Sequence, residues 1–300
     1  MPAVLAHGGA MTGPHDLLSA WTFDPLVVSA VALTGWWFGA GVRSAWRSAG
    51  RGGAVSVGQV AAFALALVTI VVALVSPVDA ASDLLFSVHM TQHVLLTLVA
   101  APLFVLAAPL QVMGWGLPPG PRRAAGRWQG RLRRLLWHRA LPGVGLTVFT
   151  AVYVLWHVPV LYDAAITNDV VHALEHATMV GAALAFWAPI VRPRRTNPGV
   201  GVLLLFISMI ASGILSALLV FAPVGWYGHD ATAAWGLSRL EDQQAAGAVM
   251  WVLGGAIYVG AGAAAVMRWL RLDERMARRF EHSTATAGQK NTDRRPIRLR

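Results

Sequence analysis

The apolar positions of the chain fall in long, almost unbroken runs, with neither the two-residue alternation of a half-buried strand nor the narrow stripe of a soluble helix. A bilayer crossing needs about 20 mostly apolar residues. Seven runs qualify: Leu26–Val42, Val57–Val75, Leu84–Leu106, Leu141–His157, Val170–Ile190, Val200–Val220 and Gln244–Met267. Hydrocarbon offers no water to backbone N–H and C=O groups, so each crossing must satisfy its own hydrogen bonds. The pattern therefore predicts an all-α bundle of seven transmembrane helices, with residues 1–270 as one membrane domain. Gly35 and Gly39, four apart in the first run, have the spacing that lets two helices approach closely.

Two polar segments read differently. In Pro121–His138 the apolar Trp128, Leu132, Leu135 and Leu136 share one helical face, with arginines between them. That pattern predicts an amphipathic helix lying on the membrane surface. Residues 271–300 are polar and basic, and are expected to be a disordered tail drawn to anionic lipid. Met1–Phe23 lacks a basic stretch followed by an apolar core, so it does not read as a cleavable signal.

Charge then gives the bundle a direction. A formal net charge of +10 and a pI near 11.4 would, taken alone, suggest a polyanionic partner. Of the 24 basic residues, however, all but Arg239 follow the first, third, fifth or seventh run. Basic residues accumulate on the cytoplasmic side, so the N-terminus is expected outside and the C-terminus in the cytoplasm. Most acids lie on the opposite side, and a nucleic-acid partner is not expected. The absence of cysteine excludes a disulfide scaffold, a zinc ribbon, a thiol nucleophile and an iron–sulfur centre.

Candidate chemistry rests on histidine. His89 and His93 are four apart in the third run, and His172 and His176 four apart in the fifth, with Glu175 between them. Spacing of four stacks two side chains on one helix face. At about 1.5 Å of rise per residue, the two pairs lie at similar depths from the outer end. His157 closes the fourth run at the same end. Imidazole suits copper, zinc, iron and nickel, and thioether sulfur favours Cu(I). These five histidines are the first-choice metal ligands. Met179, on the face of His172 and His176, is a weaker candidate, as are His229, His7 and His15 in outer segments. Glu175 reads as a partner that fixes a histidine tautomer, or as a plain interfacial carboxylate; Asp163 and Asp83 are similar candidates.

The longest outer connection, Phe221–Gln243, holds Trp235, Glu241, Asp242 and Gln243. It reads as an aromatic interfacial belt or as a docking surface above the histidines. No Walker loop, nucleophile elbow, HExxH or dinucleotide fingerprint occurs, so an enzyme is not expected.

The stretches HMTQHVLLTLVAAPLFVLAAPL (89–110), LWHVPVLYDAAI (155–166), HALEHATMVGAALAFWAPI (172–190) and WGLSRLEDQQAAGAVMWVLGG (235–255), with FDPLVV (23–28), resemble the CtaG-like assembly factors of caa3-type cytochrome c oxidase. The resemblance implies a seven-span bacterial plasma-membrane protein needed to make an active haem–copper oxidase. Its partners would be oxidase subunits or other assembly factors. Copper, as Cu(I), is suggested by the outer histidine set, independently of the resemblance. Two alternatives stay open: paired histidines on facing helices also hold haem b, and three histidines with a carboxylate fit a membrane metallohydrolase.

Overall fold

A computed structural model describes residues 14–136, 141–192, 198–228 and 231–292. No strand occurs among the described residues. Several helices start where the sequence supplies a cap. Asp24 accepts from the backbone N–H groups of Leu26 and Val27 at 2.7 and 3.0 Å and opens α1 (Pro25–Ala49), with Pro25 in its first turn. Ser56 and Gln59 form a reciprocal capping box at the head of α2 (Val57–Leu74). A short α3 (Pro77–Ser82) leads into the third span, which is composite. It comprises α4 (Phe86–Val94), a π-helical stretch (Leu95–Ala100) and α5 (Ala101–Ala107). It breaks at Ala108, a left-handed residue with φ 48°, before α6 (Pro109–Gly114).

The arginine-rich segment forms α7 (Pro119–Leu136), as its amphipathic pattern predicts, and the Arg122 guanidinium sits 3.5 Å over the Trp115 ring. The fourth run is α8 (Leu141–Trp156), and beyond it α9 (Pro159–Thr167) turns away at 73°. Pro159 has no N–H to continue the ladder, so the chain turns at His157 and Val158. Next come α10 (Asp169–Val191), capped by Asn168, and α11 (Pro198–Val220). The last span is α12 (Arg239–Val249), a second π-helical stretch (Met250–Gly254) and α13 (Gly255–Thr292). Among the described residues six helices are long and apolar enough to cross a membrane, and the bent α8–α9 pair makes seven when taken as one span.

α13 continues to Thr292, into the segment expected to be disordered. Once a helix is nucleated by its membrane section, each further residue adds a hydrogen bond at little cost. His138 lies outside the described residues, as do the last eight of the chain.

The bundle is held by two principal cores. Phe149, Phe186, Trp187, Leu205 and Tyr258 join α8, α10, α11 and α13, and Phe38, Phe63 and Val112 join α1, α2 and α6. Close approach occurs elsewhere than at the Gly35/Gly39 pair: Gly39 has open space around it, and a Cβ on Gly35 would meet only the tip of Leu67. A Cβ on Gly41 would instead sit 2.2 Å from the Val112 carbonyl oxygen. Gly41→Ala is therefore expected to destabilise the α1–α6 contact by roughly 1–3 kcal/mol, read as a lower melting temperature in detergent.

Candidate metal centre

The site is assembled at one end of the bundle, where α4 and α10 begin and α8 ends. Position on α4 is set from far along the chain. Asp242, at the head of α12, accepts from the backbone N–H groups of Phe86 and Ser87 at 2.7 and 3.1 Å and from the Ser87 hydroxyl at 2.5 Å. A helix start otherwise leaves such N–H groups without partners, so this carboxylate caps α4 from outside. One turn further on, α4 presents His89 and, a turn after that, His93. On α10, Asn168 accepts from Val170 and Val171, and the first turns carry His172, Glu175 and His176.

The two histidine pairs meet. Ring centroids lie 4.4 Å apart for His89–His93, 4.3 Å for His172–His176, 5.3 Å for His89–His172 and 5.4 Å for His93–His176. Glu175 enters the same group, its two carboxylate oxygens each 3.6 Å from Nε2 of His89 and His93. Donor atoms of His89, His172 and His176 fall within 4.8 Å of one another, as do those of His89, His93 and Glu175. His89 and Glu175 have 0% exposure and His93 has 3%. His172 and His176 are half-buried, so the group is deep on the α4 side and open on the α10 side.

Hydrogen bonding sets this cluster apart. Both ring nitrogens of His93, Nε2 of His89, His172 and His176, and both Glu175 oxygens have no hydrogen-bond partner. An unpartnered buried polar group typically costs about 1–3 kcal/mol. Two overlapping groups of three, one of them containing Glu175, have the spacing that could hold a metal ion.

His157, grouped with these histidines on sequence grounds, has a different neighbourhood. Its Nδ1 lies 2.6 Å from the Tyr153 carbonyl and its Nε2 lies 3.1 Å from the Met90 sulfur. Its carbonyl accepts from the Tyr227 hydroxyl at 2.7 Å. Burial and the nearby Asp163 push the Tyr227 phenol up, so it remains a donor across physiological pH. Tyr227→Phe is expected to cost about 1 kcal/mol of stability with metal stoichiometry unchanged, which melting and metal analysis check together.

The weaker candidates spread out. Met179 packs against Trp156 and Ala165. His7 and His229 lie outside the described residues; His15 falls in the short helix Pro14–Ser19. Asp83 is exposed at the end of α3 and Trp235 is half-buried in the outer connection. Asp163 is half-buried beneath Tyr227, with one carboxylate oxygen lacking a hydrogen bond. The run 241–243, which reads in sequence as a docking surface, is engaged internally. Glu241 closes a capping box with Ser238. Gln243 accepts from Trp226 N–H at 2.7 Å and donates to the Leu219 carbonyl at 3.3 Å. Sequence reasoning gave no role to Tyr162, which has no exposed surface and stands edge-on to His89 at 5.1 Å. The aromatic spacing around it carries no signal for that contact.

Residues 36–272, nearly the whole bundle including every residue of this centre, match the family of cytochrome c oxidase caa3 assembly factors. The chain belongs to this family. This assembly factor is accordingly a multi-pass bacterial membrane protein. Similar proteins include uncharacterized ones from Mycobacterium bovis and Mycobacterium tuberculosis, each 29% identical over 281 residues. The match covers 88% of this chain but 41% of theirs, so the assembly factor spans less than half the length of these curated relatives. No solved structure matches it.

Proposed function

We propose that this caa3 oxidase assembly factor takes up copper between His89, His93, His172, His176 and Glu175 and passes it to a subunit of a haem–copper oxidase. The observation that carries the reading is the convergence of four imidazoles and a carboxylate, each with at least one buried polar atom that has no hydrogen-bond partner. The donor set is rich in imidazole and free of thiolate, which suits copper held reversibly as cargo. Partial exposure of His172 and His176 provides a way in and out. The basic residues support an outward-facing centre with α7 and the tail end of α13 against anionic cytoplasmic lipid.

Two other chemistries fit less well. The rings pack directly on one another at 4.3–5.4 Å across neighbours, an arrangement suited to an ion and not to a planar macrocycle between them. Glu175 lies 3.6 Å from two imidazoles, a position that suits a ligand, whereas a hydrolase needs a carboxylate free to act on water.

Metal analysis and a visible spectrum of the detergent-purified protein test the copper step. The expected result is bound copper and no Soret band. No copper at micromolar metal with His93 and His176 intact would overturn it. For the assembly step, a deletion strain should lose active haem–copper oxidase and regain it with the wild-type gene. Normal oxidase in the deletion strain would refute that half.

A further inference from the structure

We propose that Met90 and His157 form a second metal site, selective for Cu(I), beside the histidine–carboxylate centre and joined to it through His93. The inference deepens the copper reading above and rests on it for the cargo, but its own donors are distinct. The Tyr153 carbonyl can only accept, so the 2.6 Å contact from His157 Nδ1 places the ring proton on that nitrogen. Nε2 of the neutral ring is then a bare lone pair, and the atom it faces at 3.1 Å is the thioether sulfur of Met90, which also has no hydrogen to give. His157 is 5% exposed and Met90 1%, so water does not relieve the contact. Two lone-pair donors held face to face in a dry site are satisfied by a soft cation. Imidazole nitrogen with thioether sulfur is a donor pair that favours Cu(I) over harder divalent ions.

The surroundings extend the site. A cavity next to Met90 is lined also by His93, Met250, Tyr153, Ser212 and Tyr258, which brings a second thioether to the same space. His93 is 3% exposed, has neither ring nitrogen hydrogen-bonded, and borders both this cavity and Glu175. Both π-helical stretches flank it: Leu95–Ala100 starts two residues after His93, and Met250 opens the other. Such stretches interrupt the regular ladder and are frequent at functional sites. Here the Thr97 hydroxyl bonds the His93 carbonyl at 2.6 Å, and Trp187 bonds the Thr97 carbonyl at 2.9 Å, holding the interrupted turn in shape. Copper thus has nitrogen and carboxylate donors on the α10 side and sulfur donors on the α12 side, with one imidazole common to both.

The test uses the full-length protein in detergent with Co(II), Cu(I) and Ag(I) as probes. Co(II) should occupy the histidine–carboxylate centre alone. Cu(I) should add a sulfur shell to its X-ray absorption spectrum, and Ag(I) should shift the methyl resonances of Met90 and Met250. Met90→Leu keeps the volume and removes the sulfur. It should weaken Ag(I) binding at least roughly tenfold, a loss already usual for an outer partner of a metal, and leave Co(II) binding unchanged. A wild-type Cu(I) spectrum with nitrogen and oxygen scatterers only would overturn the proposal whether or not the variant folds. So would a Met90→Leu protein with unchanged Ag(I) affinity, or one that loses Co(II) together with Ag(I). Failure of Co(II) and copper at the histidines, with Ag(I) still moving Met90, would instead refute the first centre and leave the second standing.

Discussion

Replacing His93 and His176 together with alanine is expected to abolish copper binding at the histidine–carboxylate centre and to leave oxidase activity in complemented cells at the level of the deletion strain. One substitution breaks the group His89, His93 and Glu175, and the other the group His89, His172 and His176. Even removal of an outer partner typically costs about 10- to 100-fold in metal affinity, and two direct ligands cost more. Glu175→Gln separates a metal role from a packing role. The amide keeps the volume but removes a buried carboxylate that has no donor in the metal-free protein. Stability without metal should therefore rise, by about 1–3 kcal/mol, while the stabilisation gained on adding copper should fall. Thermal melts with and without metal read both signs. A purely structural Glu175 would give a loss in both conditions.

The second large effect is expected at a residue that never touches the metal. Asp242→Ala removes three hydrogen bonds from the start of α4, at Phe86 and Ser87, three residues before His89. Asp242 is 1% exposed, so the orphaned N–H groups have no water to turn to. Charged caps and buried hydrogen bonds of this kind are worth about 2–4 kcal/mol together. Denaturation in detergent should show that loss, and copper affinity should drop with it as His89 and His93 lose their register. Asp242→Asn, which keeps one acceptor oxygen, should fall between wild type and alanine on both measures. Unchanged copper affinity in a folded Asp242→Ala protein would show that the cap does not position the ligands.

Much of the bundle was legible in the runs of apolar residues, because hydrocarbon admits so few backbone arrangements. The spacing of His89 with His93 and of His172 with His176 showed that each pair shares a face, and the depths showed that the pairs lie level. What single-helix periodicity lacks is the rotation of each helix against its neighbours. Met90, next to His89 on α4, points about 100° away from it, and the structure puts His157 on that other face. Met179, on the favoured face of α10, meets Trp156 instead. The same gap hid the roles of Asp242 and Gln243, whose polarity suggested an outer docking surface and whose partners lie far away in the chain. The fourth run ends at His157, where the chain bends before Pro159, and the apolar pattern gave no sign of the short helix α9 beyond it. Spacing of glycines pointed to Gly35 and Gly39, whereas the carbonyl that demands a missing side chain lies opposite Gly41.

The reach of Asp242 to Phe86, 156 residues back along the chain, also has a meaning in time. Spans enter the membrane in the order they leave the ribosome, so the helix bearing His89 and His93 is inserted well before its cap exists. His172 and His176 arrive later, and α12 later still. A chain arrested after the sixth span would hold every histidine of the centre and yet lack the contact that fixes α4. The register of α4, and with it the placing of His89 and His93, is thus completed only when the last span is in place.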